Sequence, residues 1–116
     1  MVNIGGEMNK KQIKIGANPL CWMNSDIPSL GSHIPVEQCL IDCNRIGYAG
    51  IELEDPFRRI IDSFPSLLKK YKLELVAGWH STFILADKNL KKEKESLQKH
   101  MEILHHLGGN VVNLAE

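Results

Sequence analysis

Three features of the sequence predict an α/β protein built on parallel strands. Short apolar runs of strand character recur four times. Segments with helical spacing or helix-start signals separate them. Each link from strand to strand is long enough for a right-handed crossover. The order is strand, helix, strand, helix, strand, helix, strand, in one chain of 116 residues.

Residues 1–11 have no period and carry two adjacent glycines, which predicts a flexible leader, with the ordered domain spanning 12–116. "IKIGAN" (13–18) alternates apolar with small or polar residues and reads as the first strand. "PVEQCLIDCNRIG" opens with Pro35 at a favoured first helical position, places Val36, Leu40 and Cys43 on one face and stops at Gly47. "GIELE" (50–54) is the second strand. Pro65 cannot sit deep in a continuous helix, so the next helix runs from about Pro65 to Tyr71, and Asp55 to Phe64 form a loop or irregular turn. "LELVAGW" (73–79) is the third strand. The long helix runs from about Asn89 to Leu107, with Leu90, Leu97, Met101 and Leu104 as its apolar stripe and "KKEKE" toward water. Gly108 and Gly109 end it, and "NVVNLAE" (110–116) begins the fourth strand.

Composition narrows the function. With 43% hydrophobic and 24% charged residues the chain is an ordinary globular sequence, and fourteen basic residues balance fourteen acidic ones. No field draws it to nucleic acid. No apolar run approaches the roughly 18 residues of a membrane span, and the start lacks a signal-peptide core, which places the protein in the cytoplasm. Cys21, Cys39 and Cys43 show no zinc-type pairing and read as free thiols, Cys39 and Cys43 as packing residues one helical turn apart.

In a barrel of such units, one alternating set of strand residues meets the outer helices, the other points inward, and chemistry gathers at the carboxyl ends. Strict alternation sends Ile13, Ile15, Ala17, Ile51, Leu53, Leu75 and Ala77 to the helices. It sends Lys14, Gly16, Asn18, Glu52, Glu54, Val76, Gly78 and His80 inward. Asn18, Glu52 or Glu54, and His80 then share one rim. The loop "NPLCWMNSDIPSLG" (18–31) adds Trp22 as a flat apolar wall beside donors and acceptors from Asn18 and Asn24, a mix suited to a polyol or sugar-like ligand. Trp22 reads equally as packing, Asn18 and Asn24 as turn formers, and Glu52 and His80 as structural or functional. His33, His100, His105 and His106 read as surface residues, the last two favoured by the helix end they close.

"NPLCWMNSDIPSLG", "IPVEQCLIDCNRIGYAGIELE" and "LELVAGWHSTFIL" together resemble the amino-terminal part of the inosose dehydratase family, within the xylose-isomerase-like TIM-barrel superfamily. The Trp-x-Asn loop and the Trp-x-Ser after the third strand carry the family, whereas Gly-Tyr-x-Gly-x-Glu-Leu from Gly47 to Leu53 is shared across the superfamily. The resemblance spans Ile13 to Glu116 and implies the first four strands and three helices of a barrel, a half barrel. It implies a metal-dependent lyase that removes water from 2-keto-myo-inositol (scyllo-inosose), with manganese or cobalt as Lewis acid. The implied metal ligands, a Glu, Asp, His and Glu set, lie on later strands, so none is assigned here. Glu116 matches an acidic residue at the end of the family's fourth strand.

The residues expected to bind substrate are Asn18, Trp22, Asn24, Glu52, Trp79, His80 and Ser81, with His80 and Glu52 as candidates for proton transfer. Alone, the chain is expected to be inactive and, with open strand edges, to associate with further copies. A sugar isomerase or epimerase of the same superfamily and a non-catalytic half-barrel interaction module are the alternative functions.

Overall fold

The computed structural model describes residues 13–85 and 89–116. The expected leader and Gln12 lie outside these. Among the described residues, four strands form one parallel sheet in sequential order, β1-β2-β3-β4. They are β1 (Gly16–Ala17), β2 (Gly50–Leu53), β3 (Glu74–Ser81) and β4 (Val112–Ala115), with α1 (Val36–Ile46), α2 (Asp55–Arg58), α3 (Phe64–Lys70) and α4 (Leu90–His106) between them. This is the half-barrel-like α/β arrangement that the sequence predicts. No helix among the described residues is long and apolar enough to cross a membrane.

Local chemistry sets the element ends. Pro35, in extended conformation, precedes α1 as its cap rather than opening its first turn, and Gly47 ends it at φ 94°, a left-handed conformation that costs a residue with a Cβ about 1–2 kcal/mol. Asn89 caps α4 by accepting from the Lys92 backbone N–H. Between Asp55 and Phe64, where sequence predicts loop or turn, the chain makes the four-residue α2, capped by Glu54, which therefore leaves β2. Strand β1 is shorter than expected, its register covering only Gly16 with Gly50 and Ala17 with Ile51. Ile13 and Ile15 stay exposed.

One face of the sheet carries the core. Ala17, Ile51, Leu53 and Leu75 pack against Cys39, Leu40 and Cys43 of α1, Phe64 and Leu68 of α3, and Leu104 of α4. Each such aliphatic or aromatic side chain contributes about 1.5–3 kcal/mol by leaving water. Phe57 stacks on Phe64 with ring centroids 4.7 Å apart, so short α2 is anchored to α3. Burial pushes the Cys39 thiol far above its ordinary pKa, and Cys43 is raised for the same reason, which suits inert packing thiols.

The buried face of α4 is rotated from the expected stripe. His100 and Leu104 are buried within the helix and Leu107 just beyond it, while Leu90 and Met101 are about half exposed. His100 is thus a core-facing residue, not the surface residue the sequence suggests. It occupies a stripe position between Leu97 and Leu104 that a polar residue concealed.

Strand β3 breaks strict alternation. Ile51 pairs with Leu75, but Glu52 pairs with Ala77, so Val76 is an extra residue in a bulge. From there the parity is reversed. Ala77 shares the face of Glu52, and Gly78 turns to the helices, where a Cβ would lie 2.7 Å from Leu104 Cδ2 and 3.0 Å from His100 Nε2. His80 follows Gly78 to the helix side and meets the His100 ring at 5.1 Å between centroids. Trp79 and Ser81 take the inner face instead. The Val76 side chain lies over Gly16 and Gly50, whose missing Cβ atoms give it room.

Candidate active site

The inner face at the carboxyl ends of the strands holds a three-residue polar cluster. Asn18 follows β1 directly and fixes itself by accepting from the Leu20 backbone N–H at 2.9 Å, which caps a 3-10 turn over Pro19–Cys21. Its amide donates to Glu52 Oε2 at 2.5 Å. From β4, Asn113 Nδ2 donates to Glu52 Oε1 at 3.1 Å. The second contact passes over β3, and Ala77, small and on the same face, leaves the space for it. Both carboxylate oxygens are therefore held, and the group's plane is fixed by neighbours on two other strands.

Trp79 flanks this cluster, because its strand partner is Asn113. The indole is half exposed and donates to Ser81 Oγ at 3.2 Å, two residues along the same face. An apolar ring face beside a clamped carboxylate is the combination that binds a polyhydroxylated ring.

A cleft of about 780 Å³ opens at this rim, and Asn18, Trp79 and Ser81 line it from the inner side. From the helix side come Glu54, Arg58, His80, Lys99 and His100, with Glu116 at the end of β4. The acidic groups already have partners. Glu54 accepts from Ser25 Oγ at 2.7 Å, which ties the loop after β1 to the end of β2. Glu116 accepts from the backbone N–H groups of Ile84 and Leu85 at 3.0 and 2.9 Å, which ties these two residues to the end of β4.

Behind His80 lies a basic pair, buried His100 and half-buried Arg58. Arg58 Nη2 approaches His100 Nδ1 at 2.6 Å. A guanidinium only donates, so Nδ1 accepts and the imidazole is neutral with its proton on Nε2. Burial first, and then the Arg58 charge, hold His100 below the ordinary imidazole pKa. Nε2 of His100 and of His80 are both buried without a partner among the described residues. His80 in this position contributes a ring edge to the cleft.

Asn18, Glu52, Trp79 and Ser81 are thus brought together on one face, with His80 on the opposite side of the same rim. Trp22 and Asn24 are not brought to it. The Trp22 indole donates to Asp42 Oδ2 of α1 at 2.9 Å and packs against the core, and Asn24 Oδ1 accepts from the backbone N–H groups of Asp26 and Ile27 at 2.9 and 2.8 Å. Asn24 is the turn former of its loop. Asn113, Arg58 and His100 are additions of the structure. Asn113 left a sequence signal, one polar residue at inward parity in an apolar strand, whereas nothing in the sequence brings Arg58 toward His100.

Among the described residues no three His, Cys, Asp or Glu side chains gather so as to hold a metal ion. Glu52, Glu54 and Glu116 are each turned to a separate partner. By themselves these residues do not make a site for the divalent ion that the resemblance implies.

No family model matches the chain. Curated proteins do match. The rhizopine catabolism protein MocC of Rhizobium meliloti is 36% identical over 111 residues, 96% of this chain and 34% of that protein. An inosose dehydratase of Mesomycoplasma hyopneumoniae (strain J) is 35% identical over 113 residues, 94% of this chain and 37% of its own length. An inosose dehydratase of Bacillus thuringiensis (strain Al Hakam) is 34% identical over 104 residues, 90% of the chain and 35% of its own. The resemblance carried by the loop at Asn18 and the Trp-x-Ser at Trp79 therefore holds along nearly the whole chain, which is similar to the inosose dehydratases and MocC and spans about a third of the length of the curated relatives it matches.

Proposed function

We propose that this chain forms the substrate-facing part of a cytoplasmic hydro-lyase that dehydrates 2-keto-myo-inositol, and that the 116 residues alone do not turn it over. The observation that carries this is the Glu52 carboxylate held between Asn18 and Asn113 beside Trp79. Removing water next to a ketone requires a proton to leave the adjacent carbon and a hydroxyl to leave the next one. A carboxylate fixed in orientation can accept hydroxyl protons and set the ring, while Trp79 and Ser81 bound its face. The names of the relatives supply the substrate class, and the ring hydroxyls of an inosose match the acceptors present. Manganese or cobalt, if used by the whole protein, would need more ligands than the described residues gather at any one place.

The test is a chimera in which this chain replaces its matching third of the Bacillus thuringiensis inosose dehydratase. We expect the chimera to dehydrate 2-keto-myo-inositol and to leave ketohexoses unchanged, and the 116-residue chain to be inactive with either metal. A folded, metal-loaded chimera that isomerises ketohexoses but ignores inosose would overturn the substrate, and turnover by the chain alone would overturn the expected inactivity.

A further inference from the structure

We propose that the Asn18–Glu52–Asn113 cluster reads two adjacent hydroxyls of a neutral ring, with one carboxylate oxygen for each. This deepens the keto-inositol reading by naming the mode of recognition, and it does not depend on the ketone. An ionised carboxylate offers about four lone-pair sites. Asn18 occupies one on Oε2 and Asn113 one on Oε1. Each oxygen keeps an acceptor site, and the two are side by side. Hydroxyls on neighbouring ring carbons can donate to both at once, whereas a lone hydroxyl uses one.

The surroundings favour a ligand over a purely structural stitch. Glu52 and Asn113 are only half-buried, on the face of the sheet opposite the helix-packed core. No described residue donates to Asn113 Oδ1, which is available to a third hydroxyl. Trp79, beside Asn113 in register, offers its ring face to the apolar side of a cyclic polyol. The amides hold the carboxylate before the ligand arrives, so little ordering remains to oppose binding. A phosphorylated ring would place anionic charge against Glu52 and is disfavoured.

The ¹⁵N-labelled 116-residue chain would be titrated with scyllo-inositol, trans-1,2-cyclohexanediol and cyclohexanol, following the side-chain amides of Asn18 and Asn113. Loss of one charge-assisted hydrogen bond is worth about tenfold in affinity, so we expect both vicinal diols to saturate at about tenfold lower concentration than the mono-ol. Glu52→Gln should weaken that preference, since one of the two acceptor oxygens becomes an N–H donor. Equal midpoints for diol and mono-ol, an unchanged preference in E52Q, or an absence of shifts at both asparagines would overturn the proposal. Should E52Q fail to fold, the wild-type series still decides. The chimera assay can fail while diol binding persists, so the two claims are separable.

Discussion

His100 shows how much one side chain's surroundings decide. Its Nδ1 accepts from Arg58 and its ring is largely buried, so the folded chain favours the neutral ring. The unfolded chain takes up a proton near the ordinary imidazole value of about 6.5. With the folded pKa below the unfolded one, the unfolded state binds more protons in between, and stability rises with pH across that window. The contribution is fully present above the unfolded value and is lost as pH falls toward the folded one. We expect urea midpoints to fall from pH 7.5 to pH 5, and His100→Gln, which keeps an acceptor for Arg58 but cannot titrate, to flatten that dependence. An equal slope in both proteins would place the acid sensitivity elsewhere. His100→Ala, which leaves a partly buried guanidinium without its acceptor, should cost about 1–3 kcal/mol at neutral pH. The ion pair of Lys70 with Glu37 is a contrast: Tyr71 also donates to Glu37, and the hydrogen bond from Lys70 lowers the Glu37 pKa, yet the Lys70 and Glu37 side chains are exposed and the contribution of their pairing is correspondingly small.

At the level of elements, the bulge at Val76 is the feature on which the site turns. It requires Gly50, where a Cβ would come within 2.5 Å of Val76 Cγ1 and 2.6 Å of the Glu74 carbonyl oxygen. The second clash is with backbone and cannot be relieved by a rotamer. We expect Gly50→Ala to destabilise the chain by about 1–3 kcal/mol, read as a shift of the thermal midpoint, whereas an unchanged midpoint would mean that the bulge is soft. The same bulge explains what the sequence could convey. The order of elements, their parallel pairing, the stop at Gly47 and the helix side of Ile51, Leu53 and Leu75 were legible from period and punctuation. Inward parity was legible for Asn18 and Glu52, which precede the bulge. It failed for Ala77, Gly78 and His80, which follow it, because one extra residue moves every later side chain to the other face. Trp22 stayed open between packing and pocket wall for a different reason: an indole that finds a carboxylate on α1 looks the same in sequence as one that walls a pocket.

For the molecule as a whole, the open sheet matters most. β1 and β4 each have a neighbour on one side only among the described residues, and Ile15, Val111 and Leu114 near those edges are about half exposed or more. Unpaired edges with apolar side chains pair with whatever is available. We expect the 116-residue chain to self-associate as concentration rises, seen as a rising weight-average mass in sedimentation, with a constant monomer mass as the contrary result. The inner face formed by Asn18, Glu52, Asn113 and Trp79 makes the central claim, and the two indoles offer the most direct test of it. Trp22 is bound to Asp42 on the helix side and Trp79 to Ser81 on the inner side, so their indole N–H resonances report on different faces. In a titration of the labelled chain with 2-keto-myo-inositol, with Trp22→Phe used for assignment, we expect the Trp79 resonance to move and that of Trp22 to stay. Movement of Trp22 with Trp79 unchanged would contradict the account and put the ligand on the other face of the sheet.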